Sequence, residues 1–283
     1  MRAELLRTVP LSGANYRLSL FGDPLPTISP AQFRVMRDFL KLPQNVPAEL
    51  LDVKQADVNR WESGASQTPE SVGLRYSEIA ALTSFNVEEN VRRLSSGSEE
   101  TMATYRSDAD FWAAHPDMMP YPALWQRGVV GRVAEQFPGL SIGSNTQDEA
   151  PLPEEGMTSA ELRVVREILG LSPEDLARLL QVEVELMSRW ERGAVEIPTS
   201  VHLAVERQEA KAANEVTDLV NGLNDARDVG VITFRTDEDF RLAVPGLSNY
   251  PATWHRSIVA RACQEVFEVR VEFWDGNLPG AFG

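Results

Sequence analysis

Slid along itself by 129 residues, the chain matches itself: residues 30–142 align with 159–271 without a gap, and roughly 35 of the aligned pairs are identical. No other feature restricts the fold as strongly, because whatever one copy builds the other must build again. The first block runs through Ala31, Arg34, Val35, Arg37, Leu40, Leu42, Ala48, Leu50, Leu51, Val53, Arg60, Trp61, Glu62, Gly64, Ala65 and Pro69. The same residue types return at Ala160, Arg163, Val164, Arg166, Leu169, Leu171, Ala177, Leu179, Leu180, Val182, Arg189, Trp190, Glu191, Gly193, Ala194 and Pro198. A later block, from Thr104 and Arg106 through Asp108, Asp110, Phe111 and Pro116 to Tyr121, Pro122, Ala123, Trp125 and Arg127, recurs from Thr233 to Arg256. Between the copies lies SIGSNTQDEAPLPEEG (141–156), whose Pro, Gly and acidic residues read as a solvated linker.

Each copy changes character halfway. In the second, Thr158 or Ser159 is placed to cap a helix carrying Leu162, Val165, Ile168 and Leu169 on one face and ending at Gly170. Ser172 caps the next helix, with Glu174 and Asp175 in its first turn and Leu176, Ala177, Leu179 and Leu180 as its buried stripe. A third spans about Glu183–Arg192, closed by Gly193. A longer one follows Pro198, with Val201, Leu203, Ala204, Ala213, Val216, Leu219, Val220 and Leu223 as a core or dimer stripe. In the first copy Pro47 is tolerable only in a helix's first turn, so the second helix there starts late. Beyond these helices, Met102–Tyr105 and Val231–Phe234 read as short strands, Tyr121–Gln136 and Tyr250–Val266 as helices, and Leu140–Ile142 and Val269–Phe273 as second strands. Two strands alone expose their edges, so the pairs are expected to join into one sheet across the copies.

These readings give an α+β, mostly α chain. The boundaries are an N-terminal arm (1–27, with a weakly alternating Asn15–Phe21), three short helices and a long one (28–97), and a strand–helix–strand unit (98–143). A linker (144–156), the second helical part (157–228), the second strand–helix–strand unit (229–275) and a tail (276–283) follow.

The order of short helices, small Ala177 and apolar Val182 at the crossing, and the runs RWERGAVEIP (189–198) and NRWESGASQTP (59–69) resemble the lambda-repressor/Cro-type helix-turn-helix. The stretches TDED and YPATWHR are similar to small helix-turn-helix proteins of actinobacterial phages. The resemblance implies two lambda-repressor-like domains, in which the tryptophan packs beneath the third helix, the glycine allows the turn after it, and the third helix enters the DNA major groove. It implies a phage-encoded transcriptional regulator acting on double-stranded DNA as an intrachain pseudo-dimer, with a second copy of itself or a protein as a further partner.

The reading residues fall at the start of each third helix and just beyond it. In the first copy they are Lys54, Gln55, Asp57 and Asn59, flanked by Arg60 and Ser66; Gln55 suits an adenine edge and Lys54 a guanine edge or phosphate. The second copy has Glu183, Val184, Glu185, Leu186 and Met187 in that region, leaving Ser188, Arg189 and Arg192 as its helpful residues.

Charge opposes a simple DNA-binding picture. With 27 Lys plus Arg against 42 Asp plus Glu the net charge is −15, so any phosphate-binding face is local. Residues 1–150 carry 14 basic and 19 acidic residues, and 151–283 carry 13 and 23, which favours the first copy as the DNA-facing one. The alternative is an acidic protein-interaction or DNA-mimic module.

Enzyme chemistry finds little support. The single Cys263 excludes an intrachain disulfide, and His115, His202 and His255 are too scattered for a metal or imidazole site. Asp108 with Asp110, and Asp237 with Asp239, read as polar turns capping the following helix rather than a carboxylate pair. Trp125, Arg127, Trp254 and Arg256 read as helix–sheet packing, His255 and Cys263 are too far apart for a dyad, and Arg34, Arg37, Arg163 and Arg166 suit either phosphate or local acids. No cofactor, metal or membrane is expected. The absence of a run near the roughly 20 apolar residues of a membrane span, and of a signal-peptide core, predicts a soluble cytoplasmic protein.

Overall fold

A computed structural model of the protein describes residues 28–97, 101–137, 139–145, 156–225, 230–266 and 268–276. The arm 1–27, with the weakly alternating Asn15–Phe21, most of the linker, and the tail beyond Gly276 lie outside the described residues. The described residues are mostly helical, with short parallel strand pairs.

The first copy runs α1 (Pro30–Phe39), α2 (Val46–Leu50), α3 (Gln55–Ser63), α4 (Glu70–Ser95), β1 (Thr101–Thr104), α5 (Asp108–Ala114), a 3-10 turn (Pro116–Met118), α6 (Ala123–Ala134) and β2 (Ser141–Ser144). The second repeats it as α7 (Ser159–Ile168), α8 (Pro173–Leu180), α9 (Val184–Glu191), α10 (Thr199–Asp225), β3 (Gly230–Thr233), α11 (Asp237–Ala243), a 3-10 turn (Pro245–Leu247), α12 (Ala252–Glu265) and β4 (Arg270–Phe273). Local chemistry sets the starts. Ser29, Thr158 and Ser172 form capping boxes with Gln32, Glu161 and Asp175, and Pro47 sits within the first two positions of the short α2.

Two corrections concern the strands. β2 runs through Ser144, so the residues from Ser141 that read as the start of the linker belong to a strand. The pairs also do not merge: β1 pairs with β2 in parallel, β3 with β4, and these are two separate sheets. What closes the edges is the first helix of the opposite copy. The Ser29 hydroxyl, while capping α1, donates to Val271 O at 2.5 Å, and Gln32 Nε2 donates to Val269 O at 3.4 Å. At the equivalent place Thr158 Oγ1 donates to Ile142 O at 2.6 Å, and Ile142 N donates to Glu161 Oε1 at 3.0 Å. Helix-capping side chains thus satisfy strand groups that another strand would otherwise take.

The copies therefore interlock. α1 lies on α12 and β4 of the second copy, and α7 lies on α6 and β2 of the first. The helix of each strand unit sends a buried arginine across: Arg127 Nε and Nη2 bond Glu167 at 2.7 and 3.0 Å, and Arg256 Nε bonds Asp38 at 2.6 Å. Each arginine also donates to its own strand end, Arg127 to Tyr105 O at 2.6 Å and Arg256 to Phe234 O at 2.7 Å. One hydrophobic core runs through both copies.

The long helices pack on their own strand units, α4 on α6 and α10 on α12. The buried face of α10 is Val205, Ala212, Val216 and Leu223; Leu203, expected in the stripe, is 48% exposed, and Ala213 is also exposed. The face turned to α12 repeats at near-heptad spacing from Val205, and that register carries Leu203 and Ala213 off it.

Asp38 allows a test. Burial works to raise its carboxyl, but Arg256 and Arg37 outweigh it and hold it below the usual aspartate range. A depressed carboxyl contributes stability above its unfolded value of about 3.9, lost as pH falls through the lower native value. Asp38→Asn is expected to cost about 3 kcal/mol at neutral pH, because Arg256 stays buried without its counter-charge. It should also flatten the acid limb of stability in urea unfolding below about pH 4. An unchanged acid limb would show that the pair contributes nothing.

Candidate nucleic-acid interface

The third helix of each copy rests on a buried ion pair. Arg37 Nε meets Glu62 Oε1 at 2.5 Å and its Nη1 donates to Leu42 O at 3.1 Å, tying α1 to α3 and to the turn before α2. Arg166 makes the same bonds, its Nη2 to Glu191 Oε2 at 3.0 Å and its Nη1 to Leu171 O at 3.0 Å. Burial works against the Arg37 guanidinium, but Asp38 and Glu62 outweigh it and its proton is held more tightly than usual. Arg34 and Arg163 lie 3.9 and 3.5 Å from the same glutamates. These four arginines therefore pair with local acids.

Trp61 and Trp190 are both buried beneath their helices, at 7% and 2% exposure, and Trp61 packs against Phe33 at 6.1 Å between ring centroids. Gly64 and Gly193 follow at φ +80° and +68°, where a β-carbon would strain the turn. The two third helices thus have matching inner faces.

Their outer faces differ. In the first copy Lys54 occupies the N-cap of α3 without a side-chain capping bond, and it is exposed. Gln55 Nε2 donates to Gln44 O at 2.9 Å and to Asn59 Oδ1 at 3.0 Å, and Gln44 Nε2 reaches Asn59 Oδ1 at 3.3 Å. Gln55 Oε1 is buried and has no protein partner. Asp57 and Arg60 bond each other, so Arg60 is not a lone cation. Ser66, half-buried, follows the helix, its amide donating to Arg60 O at 3.3 Å. Gln55 and Asn59 are thus brought together, joined by Gln44, which sequence reasoning missed, and Lys54 is next to Gln55 in the chain without a bond to them. The only signal for Gln44 was an amide just before Pro47, within the turn that α3 abuts.

In the second copy Glu183 occupies the N-cap position of α9 without a side-chain capping bond, and Val184 and Glu185 are exposed. Met187 is buried and Ser188 half-buried. Arg192 pairs with Glu185 at 3.2 Å, and Arg189 is exposed. Arg106, from the first copy, donates through Nη2 to Arg192 O at 3.1 Å, and Arg163 donates to Glu191 O at 3.0 Å. Cations therefore gather at the C-terminal end of α9, while acids hold its start. Arg106 carried no local signal, because its place there depends on how the copies interlock.

The remaining candidates are architectural. Asp108 Oδ1 accepts from Ala123 N at 2.7 Å and Asp237 Oδ1 from Ala252 N at 2.8 Å, so each caps the helix of its strand unit. Trp125 and Trp254 are fully buried, which leaves no stacking platform. His255 bonds Thr233 Oγ1 at 3.1 Å, burial holding its imidazole down to about 3, and burial pushes the Cys263 thiol up to about 12, leaving it unreactive. Among the described residues no His, Cys, Asp and Glu cluster is placed to hold a metal ion, and no helix is long and apolar enough to cross a membrane.

No protein-family model matches the chain, and no curated protein matches it.

The separation of buried frame from exposed face predicts unequal responses to truncation. Trp190→Ala is expected to cost about 3–5 kcal/mol in urea unfolding. Lys54→Ala is expected to change stability by no more than about 0.5 kcal/mol. Comparable losses would mean that Lys54 belongs to the frame.

Proposed function

We propose that the protein is a DNA-binding regulator in which α2–α3 and α8–α9 are tandem helix-turn-helix units of lambda-repressor type, held in one chain as a pseudo-dimer. The observation that carries this reading is the amide cluster Gln44–Gln55–Asn59 beside the exposed Lys54, on a helix whose opposite face is fixed by Trp61 and the Arg37–Glu62 pair. A B-DNA major groove admits one α-helix, and Gln or Asn bonds adenine bidentately while Lys suits guanine or phosphate. Gln55 holds both amide protons on Gln44 O and Asn59 Oδ1 with its Oε1 buried, so reading an adenine edge requires it to exchange one of these bonds for the base and turn Oε1 outward.

The second copy contributes differently. Glu183 and Glu185 at the start of α9 repel phosphate, whereas Arg189 and Arg192 stand at its far end. The preferred duplex is therefore asymmetric, its specificity concentrated in the half-site under α3.

Fluorescence anisotropy with selected and random duplexes, beginning at about 50 mM salt, tests the proposal. The wild-type chain is expected to bind, and Gln55→Ala to lose about 1–3 kcal/mol for the selected sequence only. Lys54→Ala, if it meets phosphate, is expected to weaken all sequences alike and reduce the salt slope by about 1. No binding by the wild type at low salt removes the proposal. In that event the exposed Glu183, Val184 and Glu185 favour the second reading, an acidic surface that binds a basic protein.

A further inference from the structure

The two third helices carry their arginines differently. On α3, Arg60 is bonded to Asp57, and the helix ends at Ser63. On α9 the residue equivalent to Asp57 is Leu186, so Arg189 lacks that acid, and the residue equivalent to Ser63 is Arg192. Glu185, Arg189 and Arg192 are spaced by four and three residues, so they share the exposed face of α9, opposite the buried Met187 and Trp190.

A third arginine comes from the other copy. Arg106, just beyond β1, donates through Nη2 to Arg192 O at 3.1 Å, and a β-carbon on Gly193 would lie 3.6 Å from the same nitrogen. Its counterpart Arg235 is held differently, its guanidinium 4.1 Å over the Phe273 ring. The residue equivalent to Phe273 is Ser144, so the first copy offers no aromatic ring at that place. The two arginines occupy one position of the repeat, yet among the described residues Arg106 bonds a third helix and Arg235 does not.

The acids close by in the chain do not neutralise this group. Asp108 caps α6, Asp110 accepts from the Ser107 hydroxyl at 2.6 Å, and Glu191 takes Arg166. Glu185 pairs with Arg192 at 3.2 Å, a contact exposed on both sides and therefore weak. Among the described residues Arg106 and Arg189 have no ion-pair partner, and Glu196, exposed in the turn beyond α9, pairs with neither. Arg106 spends one of its five N–H donors on Arg192 O. The carbonyls that end α9 favour cations there but supply only partial charge.

We propose that Arg106, Arg189 and Arg192 form a phosphate-binding site that grips the backbone of the duplex at the C-terminal end of α9. The inference rests on the DNA-binding reading and gives the second copy its part in it: α9 holds phosphate while α3 meets bases. Guanidinium forks suit a phosphodiester, and contacts of this kind fix orientation without reading sequence. Glu183 and Glu185 at the start of α9 repel the backbone there, which confines the grip to the far end. Because Arg106 belongs to the first copy, the site is complete only when the copies interlock.

Anisotropy of the full chain with selected and random duplexes, between about 50 and 200 mM salt, tests the site. Arg106→Gln and Arg189→Gln are each expected to weaken both duplexes alike and to lower the salt slope by about 1, with the selected-to-random ratio unchanged. Arg235→Gln, the same position in the other copy, is expected to behave as the wild type. With wild-type protein, a duplex carrying one neutral methylphosphonate linkage is expected to bind more weakly when that linkage lies outside the half-site whose recognition Gln55→Ala weakens. Unchanged slopes in both Arg106→Gln and Arg189→Gln overturn the site, as do equal losses in Arg235→Gln; wild-type binding in those cases leaves the regulator reading standing. A wild type that binds no duplex at low salt overturns both. Should Arg106→Gln fail to fold, Arg189→Gln and the methylphosphonate scan decide, and a scan with no loss outside the Gln55 half-site counts against the site.

Discussion

The reciprocal burial of Arg127 against Glu167 and of Arg256 against Asp38 is the constraint on which the other features rest. A guanidinium at 2% exposure, as at Arg256, persists only with its carboxylate and its carbonyl acceptor in place. Asp38 and Glu167 lie near the ends of α1 and α7, so satisfying these arginines fixes where the first helix of each copy lies on the other. Once those helices are fixed, their N-caps reach the strand edges, and a two-stranded parallel sheet, marginal alone, becomes tenable. The same helices carry Arg37 and Arg166, which position α3 and α9. The frame that closes the sheets is therefore the frame that presents the outward helices.

Divergence between the copies follows burial. Positions inside the frame keep their chemistry: the arginine–glutamate pairs beneath the third helices, the buried tryptophans and the aspartates that cap α6 and α12. Outward positions do not: Gln55 becomes Val184 and Lys54 becomes Glu183. A few interior sites have drifted at a cost. Trp125 donates to Thr83 Oγ1 at 2.9 Å, but the equivalent of Thr83 is Ala212, and Trp254 Nε1 is buried without a partner. Lys41 against Gly170 is the same kind of change, with a whole charge at stake.

Much of the fold was legible because the information was local. Thr158 and Ser172 announce helix starts, Gly64 and Gly193 announce turns, and Pro47 delays α2, each through interactions a few residues long. Asp108 and Asp237, read as polar turns, instead open α5 and α11, and each reaches the first amide of α6 or α12 only because that short helix folds back toward it. The interlock was not legible. An internal repeat states that two segments are alike but not whether each packs on itself or on its twin, because both arrangements bury the same apolar residues. The expectation of a joint sheet failed on that point: exposed edges required cover, and a helix cap served as well as a strand. Arg106 and Gln44 were invisible for the same reason, because their partners are set by tertiary packing.

Interlocking also changes what a linker does. In two domains joined only by a tether, linker length and stiffness govern how both engage a ligand at once. Here a continuous core holds α3 and α9 in relation to each other. Any ligand that meets both helices is selected by a spacing written into Arg127, Arg256 and their carboxylates. A chain of net charge −15 gains little from diffuse attraction to phosphate, so its recognition of DNA would depend on a few contacts held in register. Rigidity of this kind lowers the ordering cost of each contact.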